Sequence, residues 1–289
     1  MDKVNKLTLQ QPEYPALLSA THAPPKTLYV RGSAEALQAS SPLAVIGGRK
    51  PTAYGRHITE QLIQGLAGSE VVIVSGLALG IDAVAHQAAL QAKLPTIAVL
   101  PAGLDTIYPR SNQQIGQAIL EQGGALVSEY PPGYPPQKNH FIERNRIVSG
   151  LSHGILVTEA GQKSGTLHTV KFALEEGRSV LAVPGNITSA MSEGANSLIA
   201  RGARPVLDSE DILDELGVNH TERAQQASLF GDTPAETEIL EILQREGICE
   251  GKALLEQSAI DIQEFNQSMT MLEINGKIKS LGADNWSLT

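Results

Sequence analysis

At 289 residues, with 42% hydrophobic and 18% charged side chains, the chain is too apolar to be mostly disordered and suits one large domain or a large one with a small companion. A single cysteine, Cys249, excludes an intramolecular disulfide and a cysteine-rich zinc site, and no apolar run suits a signal peptide or a membrane span; a soluble, cytoplasmic protein with no membrane attachment is expected. The net charge of −9 excludes a generally basic nucleic-acid binder, so any such function must rest on a local cluster. Residues 1–39 hold Pro12, Pro15, Pro24, Pro25 and the short apolar run Leu28–Val30, and read as an N-terminal extension with one short strand or helix. From Leu43 apolar runs recur at 43–46, 71–76, 96–100, 125–129, 154–159 and 179–185, with helical patterns between them at 54–68, 80–93, 111–124 and 166–178. Nearly continuous apolar strands are buried on both faces, which requires helices on each side of a parallel sheet. The fold class is therefore α/β: a Rossmann-like, doubly wound, mostly parallel sheet over residues 40–217. Residues 218–234 lack periodicity and read as a linker. Within 235–289, three helical patterns (236–247, 252–259 and 261–276) precede two strands around Gly282-Ala283-Asp284, the pattern of a small C-terminal winged-helix domain.

Sheets of this class bind ligands beyond the C-terminal ends of their strands. The first core strand ends in Gly47-Gly48-Arg49, where glycines let backbone amides approach a phosphate and Arg49 adds a charge-assisted contact. A tight β–α turn with a surface arginine explains the same residues equally well. The pattern is not G-x-G-x-x-G, and no acidic residue follows the second strand, so dinucleotide binding loses its two sequence supports. After that strand come Ser75 and Gly76, then Asp82 and His86, four apart on one helix face. These two read as a structural i,i+4 hydrogen-bonded pair or, less simply, as a catalytic dyad. Arg110 follows Tyr108-Pro109 on the ligand edge. Lys138–Arg146 is the densest basic and aromatic patch, with Lys138, Phe141, Arg144 and Asn145 suited to phosphates and an unstacked base. Of Arg144 and Arg146, at least one is expected to brace the fold against a carboxylate such as Glu129 or Glu159. Ser164, Gly165 and Thr166 open a helix, as an anion site or as an N-cap. Three loops of this kind on one edge favour a phosphate-binding groove. No P-loop motif and no metal-binding motif occurs, so no cofactor, metal or catalytic set is assigned.

The ordered series IGGRKPTAYG, SGLALGIDAVAH, AGLDTIYPR, SEYPPG, FIERNRIVSGLS, EAGQKSGTLHT, GRSVLAVPGNI and GANSLIARGA resembles the DprA/Smf family of DNA-processing proteins over residues 12–217. The resemblance implies a non-catalytic protein that binds single-stranded DNA in natural transformation, protects it and loads the RecA recombinase. It implies phosphate contacts for Arg49, Arg110 and Lys138, and a pocket shaped by Gly48, Ser75, Gly76, Phe141, Ser164, Gly165 and Thr166. It also implies a homodimer through Asn196–Val206, where Ala195, Leu198, Ile199 and Val206 offer apolar surface. Gly48 departs from the small hydroxyl residue common at its position. No helical domain precedes the extension, so functions tied to one do not carry over. Two other readings stand beside this one. A nucleoside-monophosphate phosphoribohydrolase would want an acidic residue after its glycine loop, where this chain has Leu167-His168-Thr169. A winged-helix transcription regulator would read duplex DNA with a helix over Asp261–Glu273, which holds three acidic residues and no Lys or Arg.

Overall fold

The computed structural model describes residues 4–218, 231, 233–258, 260–282 and 284–288. The chain divides into two compact units, Met1–Asn219 and His220–Thr289. Most of the linker expected at 218–234, and Ala283 of the C-terminal turn, lie outside the described residues.

In the first unit the six apolar runs form β3 (Ser41–Ile46), β4 (Val71–Ser75), β5 (Thr96–Val99), β6 (Ala125–Ser128), β7 (Gly154–Val157) and β8 (Ser179–Ala182). Two strands precede them, β1 (Asn5–Thr8) and β2 (Thr27–Gly32), and a short β9 (Arg204–Pro205) follows. The sheet order is β1-β2-β6-β5-β4-β3-β7-β8-β9, parallel from β6 to β9. Alternate side chains of the central strands enter opposite cores: Ala44, Ile46, Val72 and Val74 pack in one cluster, Leu43, Val45, Val71 and Ile73 in the other. This double burial is why those strands carry no polar face. The helices are α1 (Ala16–Ser19), α2 (Ala53–Gln64), α3 (Ile81–Gln91), α4 (Gln113–Glu121), α5 (His140–Gly150), α6 (Thr166–Glu175), α7 (Glu193–Ala200) and α8 (Ser209–Leu216). Of these, α2, α3, α4 and α6 occupy the four helical patterns of the sequence.

The N-terminal extension carries more order than the single short element expected of it. β1 pairs antiparallel with β2, and β2 pairs antiparallel with β6, so the extension completes one edge of the sheet. Leu18, Leu28 and Val30 are fully buried in the same core as the central strands, and Tyr14 Oη donates to the Pro25 carbonyl at 2.7 Å. At the other edge the apolar surface expected for self-association is partly spent. Ala195 and Val206 are buried in the cores, and Leu198 and Ile199 are half-buried against one of them. The exposed apolar side chain next to β9 is Leu207.

The second unit contains α9 (Pro234–Glu246), α10 (Gly251–Ser258) and α11 (Ile262–Ile274), followed by the hairpin β11 (Ile278–Gly282) and β12 (Asn285–Leu288). A third strand, β10 (Ile248–Glu250), pairs with β12; it was not evident in the sequence. Ile239, Leu240, Leu243, Leu254 and Leu272 form its buried centre. Side-chain caps start two of its helices: Thr233 accepts from Glu236 N at 3.2 Å, and Asp261 from Gln263 N at 2.7 Å. Among the described residues, no helix of either unit is long and apolar enough to cross a membrane.

Candidate nucleic-acid interface

β3 pairs with β4 on one side and with β7 on the other, so the chain winds away from it in both directions. The crevice at such a switch point, beyond the carboxyl ends of the strands, is where ligands bind. A cavity of about 460 Å³ lies there, walled by the loops after β3, β4 and β7 and by α5.

The loop after β3 is held from below. Gly48 N donates to the Glu159 carbonyl at 2.7 Å, while the buried Glu159 carboxylate accepts from Thr52 N at 2.7 Å and Thr52 Oγ1 at 2.6 Å. From the side, Ile81 N donates to the Gly48 carbonyl at 3.1 Å. That approach needs glycine at 80: its φ is +87°, and a Cβ there would enter the Gly48–Arg49 backbone. Gly48 is thus a buried structural position, and Arg49 is carried outward on a fixed loop. Its guanidinium carbon lies 5.5 Å from the centre of the half-buried Phe141 ring, within cation–π range. Tyr108 meets the same ring edge-on at 5.8 Å.

The loop after β4 is organised by Asp82, not by an Asp82–His86 pair. Asp82 Oδ2 accepts from Gly76 N at 3.2 Å and Ala78 N at 3.4 Å. Burial raises its carboxyl above the usual range, against the lowering effects of Arg144 and the two amides. His86 turns the other way. Thr96 Oγ1 spends its proton on the Ile73 carbonyl at 2.8 Å, so His86 Nδ1, 2.8 Å from that hydroxyl, must carry the hydrogen and donate. Its Nε2 is buried without a partner, and burial pushes the imidazole down to about 3, helped by the Arg144 charge. The expected i,i+4 hydrogen bond is replaced by two separate structural roles. Ser75 is also spent: it is fully buried and donates to the Val45 carbonyl at 2.6 Å, joining β4 to β3 instead of facing the cavity.

On α5 the two arginines divide. Arg146 forms an ion pair with Glu129 and donates to the Ala23 carbonyl at 2.7 Å, which is the bracing role expected of one of them. Arg144 is buried yet lines the cavity; it donates to the Gly76 and Val99 carbonyls, and its Nε donates to Asn145 Oδ1 at 3.3 Å. Burial lowers its guanidinium to about 10, with Asp82 opposing the shift and Arg49 adding to it, so it remains a cation at neutral pH. Gly76 is required beneath it, because a Cβ there would strike the guanidinium. Glu159, the other carboxylate considered for these arginines, is taken by Thr52.

The third wall is the start of α6. Thr166 Oγ1 donates to the Gly47 carbonyl at 2.9 Å, and Ser164 Oγ donates to Thr166 Oγ1 at 2.8 Å. Gly165 is exposed beside them. Of the residues singled out in the sequence, the cavity gathers Gly47, Arg49, Gly76, Asp82, Phe141, Arg144, Asn145, Ser164, Gly165 and Thr166. Lys138 is exposed on the turn before α5, outside the cavity lining. Arg110, also exposed, lines a second hollow of about 660 Å³ with Arg31, Asp105 and Gln113. Arg31, on β2 with no motif around it and so not singled out in the sequence, donates to the Leu104 carbonyl at 3.5 Å at the same hollow.

The family model for DNA recombination-mediator protein A matches residues 5–217. The chain is 49% identical to Protein Smf of Escherichia coli over 203 residues, 70% of this chain but only 54% of that protein. It is 40% identical to DNA processing protein DprA of Bacillus subtilis over 222 residues, covering 76% of this chain and 74% of that one. Among solved structures, DprA of Streptococcus pneumoniae superposes with a TM-score of 0.70 at 42% identity, covering 74% of each chain. DprA of Helicobacter pylori, studied for its single-stranded DNA binding mode, superposes with a TM-score of 0.66 at 33% identity, covering 75% of this chain and 98% of that one. The match begins at β1 and ends at the helix that closes the first unit, so it takes in the extension, the sheet and every wall of the cavity. On that extent and identity, the chain belongs to the DNA recombination-mediator protein A family.

Proposed function

We propose that the first unit binds single-stranded DNA across the switch-point cavity, one base against Phe141 and the backbone on Arg49, Lys138 and Arg110, and that the chain protects this DNA and delivers it to the RecA recombinase during natural transformation. The observation that carries the reading is the Arg49 guanidinium on the Phe141 ring at the mouth of the cavity. A cation beside an accessible aromatic face is what a phosphate followed by an unstacked base requires, whatever the sequence of the strand. The exposed Lys138 and Arg110, outside the cavity, suit phosphates of nucleotides that run past it. We further propose a cytoplasmic homodimer associating through the 196–206 edge, which would place two such sites on one strand and raise avidity without new contacts. The half-buried Leu198 and Ile199, with the exposed Leu207 next to that edge, are among the apolar groups available for that contact.

Binding, not bond cleavage, is the reading the side chains support. Asp82 is committed to two backbone amides and His86 to Thr96, and Leu167-His168-Thr169 stands where a phosphoribohydrolase would place its carboxylate. The decisive experiment is a gel shift with single-stranded and duplex DNA, on the wild type and Arg49→Ala at matched salt. Preference for the single strand, weakened by the substitution, is the expected result; unchanged affinity in the variant overturns the assignment. Recombinase assembly on DNA carrying a single-strand-binding protein, with and without the chain, tests the loading step.

A further inference from the structure

The second hollow, of about 660 Å³, brings together two cations from distant parts of the sequence, Arg31 and Arg110. Strand alternation sends Leu28 and Val30 of β2 into one core, so Arg31 lies on the other face of the sheet, beside the loop after β5 and the start of α4. Its guanidinium carries five N–H donors, and the protein offers them one acceptor, the Leu104 carbonyl at the long distance of 3.5 Å. Nε is buried with no partner at all. A cation left this short of acceptors is costly unless a ligand supplies them. Arg110 lines the same hollow and is exposed. Among the described residues, no carboxylate forms an ion pair with either arginine. Asp105 also lines the hollow; its Oδ1 accepts from Gly133 N at 2.6 Å, and its single charge leaves the two arginines in excess. The remaining lining side chains, such as Thr106, Gln113 and Gln117, are uncharged.

The hollow is a continuation of the cavity. Tyr108 meets the Phe141 ring at the cavity mouth at 5.8 Å, and Arg110 follows only two residues later, so at most about 7 Å of backbone separates them. A strand with a base at Phe141 that leaves over Tyr108 therefore comes directly upon the two arginines. We propose that Arg31, a residue of the N-terminal extension, joins Arg110 in holding a phosphodiester of that strand, which makes the hollow a second DNA subsite. A singly charged phosphodiester matches the one positive charge in excess, and its two free oxygens can accept from both guanidinium groups by charge-assisted bonds. The contact is to the backbone, so it positions the strand without reading its bases. β2 then has two duties along one strand: Leu28 and Val30 build the core, and Arg31 meets the ligand. The inference rests on the single-stranded DNA reading above.

The test is fluorescence anisotropy of oligo(dT), about 16 nucleotides long, with the full chain at several salt concentrations. Arg31→Gln keeps the length and a donor but removes the charge, and it should weaken binding about tenfold at low salt. The gap to the wild type should close as salt rises, because a phosphate contact is screened and a packing defect is not. Lys93→Gln is the control for bulk charge: it removes one cation from an exposed site just before β5, at the opposite end of the strands, and should change affinity less than twofold. If Arg31→Gln binds as the wild type does, loses no more than Lys93→Gln, or shows a loss that salt does not reduce, the proposal is overturned. If that variant fails to fold, Gln113→Glu answers instead. It puts a carboxylate into the hollow from the exposed first turn of α4, where the helix dipole tolerates it, and should weaken binding about fivefold at low salt. Unchanged binding by that folded variant overturns the proposal too. A hollow that served only a free phosphate ion would let inorganic phosphate raise the melting temperature of the wild type but not of Arg31→Gln, with oligo(dT) affinity equal in both, and that result also overturns it. Arg49→Ala separates the two levels. If it weakens binding and the hollow variants do not, the second subsite alone fails. If none of them weakens binding, the cavity reading fails with it.

Discussion

Arg49 and Phe141 are the two residues the proposed contact depends on, and they already touch each other in the free protein. Arg49→Ala and Lys138→Ala should each reduce single-stranded DNA affinity and flatten the slope of log K against log salt by up to about one unit, the signature of one lost phosphate contact. Phe141→Ala should cost roughly 1–3 kcal/mol of binding if a base stacks there. Phe141 belongs to neither buried core, so its removal should leave the melting temperature nearly unchanged; a large drop with intact binding would make it a structural anchor instead. Because the arginine rests on the ring, a double-mutant cycle between the two should be non-additive. His86 gives a prediction with a definite sign. Its native imidazole titrates near 3 against about 6.5 in an unfolded chain, so between those values the unfolded state holds the extra proton. This contribution is fully present above pH 6.5 and is lost as pH falls toward 3, at up to ~1.4 kcal/mol per pH unit. Asp82, with its carboxyl raised, works in the opposite direction, so the comparison that isolates His86 is urea unfolding of His86→Gln beside the wild type. A variant whose stability falls as steeply below pH 6.5 would remove the claim. Much of this was legible in the sequence as residue types at strand ends. The partners were not: Ser75 reads as a free hydroxyl until β3 is placed beside it, and the Asp82–His86 spacing is satisfied by two unrelated bonds.

At the scale of elements, the parallel core strands announced themselves because burial on both faces leaves only apolar residues. β1 and β2 were less plain: Leu28–Val30 suggested only one short strand or helix, along β2 only Leu28 and Val30 are buried, and the four-residue β1 buries Leu7 alone. α5 read as a basic patch because its buried face includes His140 and Arg144, which break the apolar period that marks a helix. β10, three residues long, gives no periodicity to read. The extension is therefore predicted to be indispensable to folding. Removing residues 1–39 would take Tyr14, Leu18, Leu28 and Val30 out of the core and leave β6 an open edge. Loss of soluble expression, or a collapse of the melting temperature, is the expected outcome; a stable truncated protein would show that the edge strands are dispensable.

For the whole molecule, charge separates the two units. Residues 40–217 carry 13 basic and 16 acidic side chains, while residues 235–289 carry four basic and ten acidic. α11, the helix that would enter a major groove, has no Lys or Arg and begins at the Asp261 cap. The second unit should therefore not bind duplex DNA near physiological salt, since like charges repel at short range. Truncation after Gly217 should leave single-stranded DNA affinity within about threefold, a difference below 1 kcal/mol. Tight duplex binding by residues 235–289 alone would revive a regulator role. Light scattering at micromolar concentration checks the homodimer, and a monomer there removes it.

The strand order carries a consequence for synthesis. β3 gains its second neighbour only when β7 exists, in the register Leu43 to Gly154, and the last wall of the cavity begins at Thr166. An elongating ribosome adds roughly 5–20 residues each second, so Arg49 waits on the order of ten seconds for the groups it will work beside. Throughout that interval an apolar strand is held open along one side, and contacts of such long sequence separation form slowly even once the chain is complete. The nascent chain is thus expected to expose that strand for seconds before the walls of its cavity can close around Arg49.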